Sequence, residues 1–195
     1  MKSKAEIESS FNSPFIEKRL SEIRDRKGKN AFLESIMRDP TATILNEVNG
    51  HRTILFQGNK GPKTGTWEQT KQMAFELNRH GIDVAFLPEL QFDTCADSLI
   101  KTGNVFRVAD FKYCVTTNPN TLSKDLEHGF EQANTIVLKL EKMDSGLFKI
   151  AIEYLLRNEI PYGNIFLINN YGRALEIPRK DFKTGVYRKM IKGFL

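Results

Sequence analysis

Apolar residues along this chain recur in two rhythms, one of period 3.6 and one of period 2, and the switches between them mark out the elements. Trp67, Met73, Ala74 and Leu77 share one helical face between a capping threonine, Thr66, and a stop at Gly81, which predicts a helix over 67–80. Short apolar runs predict strands at 51–56 and 82–87, the second closed by Pro88-Glu89. From Phe92 to Tyr113 the pattern reads as two strands joined by a turn at Lys101-Thr102-Gly103-Asn104. A polar loop at 116–121 precedes a helix over 122–132, on which Leu126 and Phe130 face the core. Ile136, Val137 and Leu138 form the continuous run of a buried strand over 133–140. A helix over 148–158, a strand over 164–169 and a turn at 170–173 into a strand over 174–177 complete the pattern.

The first 50 residues read differently. Phe15, Ile16, Leu20 and Ile23 give helical spacing over 14–26, followed by the breaker Lys27-Gly28-Lys29-Asn30. A second helix is predicted over 31–38, stopped at Asp39-Pro40, and a third over 41–48, ending at Asn49-Gly50. The expected organisation is an N-terminal helical extension (1–50), an α/β domain with a central mixed sheet flanked by helices (51–178), and a basic C-terminal tail (179–195).

Composition changes this picture little. With 40% hydrophobic and 27% charged residues in 195, the chain can bury a core. No apolar run reaches the roughly 18 residues that span a membrane, and the N-terminus has no apolar stretch behind its charges, so the expected compartment is the cytoplasm. Cys95 and Cys114 have no zinc-site spacing and read as small buried hydrophobes. A net charge of +5 permits a polyanionic partner without requiring one. Arg24, Arg26, Lys27 and Lys29 read as a solvated face. The loop Gly58-Asn59-Lys60-Gly61-Pro62-Lys63-Thr64-Gly65-Thr66 lacks the spacing of a P-loop, which excludes that class of NTPase and leaves Lys60 and Lys63 as a basic loop beside a nucleic-acid groove.

The candidate chemistry sits on the 92–113 hairpin. Residues i and i+2 of a strand share a face, so Asp110 and Lys112 project together, and the turn folds Asp97 back toward them. Two carboxylates and a lysine at one sheet edge can hold a divalent cation and orient a water beside it. The plainer alternative is a surface hairpin with a charged face. Glu68, in the first turn of its helix, is accounted for by the helix dipole alone.

From residue 66 the predicted order begins helix, strand, strand, strand, helix, strand, which resembles the αβββαβ core of the PD-(D/E)XK nuclease superfamily. Ala96-Asp97 stands where that family has Pro-Asp; twelve residues intervene, and Asp110-Phe111-Lys112 supplies the acid-x-Lys tripeptide. Glu68 (with Glu76 as the alternative) matches an acid on the first helix, and Gln132 a glutamine on the later one. Glu68, His80-Gly81-Ile82-Asp83-Val84, Leu87-Pro88-Glu89, Asp97, Asp110-Phe111-Lys112 and Gln132-Ala133 also resemble the tRNA-cleaving C-terminal domains of contact-dependent growth inhibition toxins. The resemblance implies an endonuclease acting on RNA, tRNA favoured over DNA. Its Mg²⁺ or Mn²⁺ would be held by Asp97 and Asp110 with help from Glu68, with Lys112 and Gln132 completing the catalytic set. It implies phosphate contacts from Lys60, Lys63, Arg107 and Lys124, and a second copy or an immunity-type protein as partner.

Two other readings stay open. A metal-independent ribonuclease of the barnase-colicin type would use His128, Lys112 and Thr116 or Thr117 on a ribose 2′-hydroxyl. A non-catalytic binding module would keep the basic loop and tolerate loss of Asp97. His51 and His80 read as structural.

Overall fold

A computed structural model describes residues 13–56, 67–88, 98–142 and 144–195. Its architecture is α/β. Among the described residues eight strands form one mixed sheet in sequence order: β1 (Thr43–Val48), β2 (His51–Leu55), β3 (Ile82–Phe86), β4 (Ser98–Thr102), β5 (Val105–Cys114), β6 (Thr135–Leu140), β7 (Asn164–Ile168) and β8 (Ala174–Ile177). The helices are α1 (Ser13–Glu22), α2 (Arg26–Met37), α3 (Trp67–Arg79), α4 (Pro119–Gln132), α5 (Ser145–Arg157), α6 (Arg179–Thr184) and α7 (Tyr187–Lys192). From α3 to β6 the elements run αβββαβ, with β3, β4 and β5 antiparallel in succession and β5 parallel to β6. Among the described residues no helix is long and apolar enough to cross a membrane.

The predicted third helix is a strand. Residues 43–48 pair antiparallel with β2, and Asn49 and Gly50, at φ 52° and 80°, form the two-residue turn between them. That Asn-Gly pair is a hairpin signal, and Thr43, Ile44 and Val48 have the β-branched stiffness a strand favours. The predicted boundary at residue 50 therefore falls inside a hairpin of the main sheet. The second helix starts earlier than the breaker at 27–30 implied. Asp25 caps it by accepting from the Gly28 amide at 2.7 Å, so the lysine-glycine stretch is its first turn. In the same way Asn118 caps α4 with Pro119 at its first position, shortening the predicted 116–121 loop.

Each face of the sheet is covered separately. Met73, Ala74 and Leu77 of α3 bury against Val84, Phe86, Ile100, Ala109, Phe111, Val137 and Phe166 on one face. On the other, α1 and α2 bury Ile16, Leu33, Ile36 and Met37 over Ile54, Ala85 and Leu99. Farther along that face α4 to α7 close over Ile136, Leu138, Ile165, Leu167 and Ile177. The sheet curls around α3. Asn78 Oδ1 accepts from Asn46 of β1 and Thr53 of β2, both at 2.8 Å, while its amide donates to the Ile82 carbonyl. From the far side Lys139 of β6 pairs with Glu76 at 2.9 Å, and the His80 ring bonds the Gly172 carbonyl at 2.8 Å.

Candidate active site

The site is built on β5, a strand in the interior of the sheet and not at its edge as the sequence reading had it. Phe111 points toward α3; Asp110 and Lys112, on either side of it, point the other way, toward α4. Their register partners on β6 are Ile136 and Leu138, whose side chains belong to the core beneath α4 and α5. Asp110 is thus a carboxylate in apolar surroundings, with only 1% of its side chain exposed, whereas Lys112 keeps 21%.

Lys112 Nζ stands 2.9 Å from Asp110 Oδ2. The approach lies outside hydrogen-bond alignment, so Oδ2 has a charged neighbour but, among the described residues, no hydrogen bond. A buried carboxylate without a cation beside it would be costly, and Lys112 is that cation. On the helix side the room is made by Gly129. A Cβ there would lie 2.9 Å from Asp110 Oδ2 and 2.9 Å from Ile136 Cδ1. One turn earlier on α4, Asp125 reaches the Cys114 thiol at 3.7 Å. Burial, joined by the Asp125 charge and hydrogen bond, pushes that thiol up to about 12, so Cys114 is an inert core residue, in keeping with its sequence reading.

The other predicted site residues within the described part do not join this pair. Asp97, Lys60, Lys63 and Cys95 lie outside the described residues. Glu68 is on α3, across the sheet from Asp110, largely exposed and paired with Lys71 at 2.7 Å. Its alternative, Glu76, is on the same helix and engaged by Lys139. Gln132 ends α4 and its amide meets the His128 ring at 3.1 Å; that ring also faces Glu131. His128 is therefore occupied on the exposed side of α4. Lys124 is exposed. The Arg107 guanidinium lies over the Phe166 ring and pairs with Glu176 at 2.7 Å, so a phosphate there would compete with that carboxylate. The position of Arg107 among strands of the α3 face, opposite Asp110, sets it apart from the pair.

Among the described residues no three acidic, histidine or cysteine side chains come together to hold a metal ion. Asp110 offers an oxygen donor but needs at least one more for a hard divalent cation. What the described pair can do alone is hold a positive charge at a fixed point, half in solvent, on a rigid central strand.

No family model matches the chain, and no curated protein matches it. Among solved structures, a chain of the CdiA-CT/CdiI toxin and immunity complex from Burkholderia pseudomallei is similar, with 20% identity and a TM-score of 0.45. The match covers 60% of this chain and 91% of that one.

Proposed function

We propose that this chain is an endonuclease that hydrolyses phosphodiester bonds, with RNA as its substrate. The observation that carries the reading is the Asp110–Lys112 pair: an enclosed carboxylate with an ammonium 2.9 Å away that still reaches solvent. Phosphodiester hydrolysis builds negative charge on the phosphoryl oxygens, and a fixed cation aimed at that point lowers the barrier. Asp110 holds the Lys112 ammonium in one direction, and Gly129 gives the carboxylate its seat.

The element order from α3 to β6 and the tripeptide Asp110-Phe111-Lys112 on the third strand support the resemblance to PD-(D/E)XK nucleases. Asp97 directly precedes Ser98, the residue of β4 paired with Ala109, and is the second carboxylate the reading calls on. With Asp110 it would hold a divalent cation, Mg²⁺ or Mn²⁺, which when bound supplies an activated water and further positive charge. Glu68 and Gln132, engaged elsewhere, are not needed for that set. The preference for tRNA, and for a neutralising protein partner, comes from the toxin-domain resemblance of the sequence. Incubating the protein with total tRNA and with plasmid DNA, in Mg²⁺ and in excess EDTA, beside Asp110→Asn, tests the reading.

A further inference from the structure

The C-terminal segment holds the chain's entire excess charge. Residues 179–195 carry six of the 29 Lys and Arg and one of the 24 Asp and Glu, which leaves 23 of each in the rest of the chain. The six cations fall in a repeat. Arg179-Lys180-Asp181-Phe182-Lys183 and Arg188-Lys189-Met190-Ile191-Lys192 share the pattern Arg-Lys-x-apolar-Lys, nine positions apart. Each copy forms one short helix, α6 and α7. In each the apolar member is driven into the core, Phe182 and Ile191 both at 2% exposure, and Tyr187 and Phe194 anchor the segment beside them. The apolar fourth position of each copy is buried, while Arg179, Lys180, Lys183, Arg188, Lys189 and Lys192 are all exposed.

Those cations are largely unmatched. Among the described residues Lys180, Lys183, Lys189 and Lys192 are exposed and none makes an ion pair. Arg179 lies over the Tyr162 ring, and Arg188 shares Glu153 with Lys149 and Arg157, so even that acid is outnumbered. Six exposed cations with Asp181 as the one acid in the segment, and Glu153 shared beside it, leave a net positive surface that a polyanion would match.

We infer that α6 and α7 form a docking surface for the phosphate backbone of a nucleic acid. A lipid surface is the weaker occupant, because membrane-binding helices present an apolar face to the bilayer. Here Phe182, Tyr187, Ile191 and Phe194 are turned inward, leaving Val186 as the exposed large apolar residue of the segment. Lysine and arginine side chains on a solvated helix face meet phosphates without reading bases, so the surface supplies affinity and no sequence preference. The inference rests on charge and packing at the C-terminus and is independent of catalysis at Asp110.

Its test is fluorescence anisotropy of the full chain with a labelled 20-nucleotide single-stranded RNA of mixed sequence, in EDTA, at 50 and 200 mM KCl. Four lysine-phosphate contacts on a single strand give an affinity loss of about 50-fold over that range. The variant Lys180→Gln/Lys183→Gln/Lys189→Gln/Lys192→Gln, with an unchanged circular dichroism spectrum, is expected to bind weakly at 50 mM and to lose less than about 3-fold. The half variants Lys180→Gln/Lys183→Gln and Lys189→Gln/Lys192→Gln should each remove about half of the salt dependence. An unchanged salt dependence in the four-lysine variant overturns the inference. So does wild-type protein that ignores the RNA but sediments with phosphatidylserine vesicles. Absence of RNA cutting would count against the catalytic reading alone.

Discussion

Gly129 and Asp110 define each other's place: a Cβ at 129 would stand 2.9 Å from the carboxylate oxygen that Lys112 faces. The helix can lie this close to β5 only because that position carries no side chain, and the carboxylate is enclosed only because the helix lies this close.

Gly129→Ala therefore sets two effects against each other. Alanine favours the helix by about 1 kcal/mol over glycine, while overpacking a tight site costs about 1–3 kcal/mol. With contacts to both Asp110 Oδ2 and Ile136 Cδ1 to relieve, the expected net effect in urea unfolding is destabilisation by about 1 kcal/mol. A stabilised variant would mean that α4 can back away from β5 at no cost.

Lys112→Met should be more damaging than Asp110→Asn. Removing the ammonium strands a carboxylate with 1% exposure, and breaking a buried pair from one side costs about 3–5 kcal/mol. Removing the charge from Asp110 leaves a lysine that can swing into water. The double variant Asp110→Asn/Lys112→Met should recover most of the loss of Lys112→Met. Additive losses in the cycle would show that the two side chains do not interact.

Acid should loosen the seat of α2. Glu34 on that helix takes Lys101 of β4 at 2.8 Å and Arg38 at 2.8 Å, beside a cleft of about 70 Å³ lined by Arg52 and Asp83. Burial raises the Glu34 carboxyl, but the hydrogen bonds and charges of Lys101 and Arg38 outweigh it and leave it below 4.5. A carboxylate lowered by folding contributes stability above its unfolded value, and that contribution is lost as pH falls from about 4.5 through the folded value. Glu34→Gln should flatten this limb of the unfolding free energy against pH and leave the region above pH 6 parallel to wild type. An unchanged acid limb would remove Glu34 from the account.

Most of the fold was legible in the sequence because its strong periodicities coincide with buried faces. Met73, Ala74 and Leu77 on α3, and Ile136, Val137 and Leu138 on β6, are all fully buried. The failures have local causes. The expected helix over 41–48 is a strand because the Asn49-Gly50 turn and the pairing with β2 decide the outcome. Gly28 lies in the first turn of α2 instead of breaking it, because Asp25 three residues earlier caps that helix. At the site the pairing of Asp110 with Lys112 was visible as an i, i+2 relation. Their depth was not, since it depends on Gly129, nineteen positions away, and on which strand ends up central. The pairing of Arg107 with Glu176 has no local sign, because the two lie 69 positions apart. The C-terminal repeat was readable as a charge run but gained meaning only when Phe182 and Ile191 were seen to point inward.

The most direct test of the central claim is cleavage of total tRNA and of plasmid DNA by the wild type, Asp110→Asn and Lys112→Met at equal folded concentration, each in Mg²⁺ and in excess EDTA. The expected result is Mg²⁺-dependent cutting of tRNA that falls at least about 100-fold in both variants, the scale at which a fixed charge at a reacting phosphate acts. Cutting that persists at the wild-type rate in both variants, or no cutting of either nucleic acid by the wild type, would contradict it.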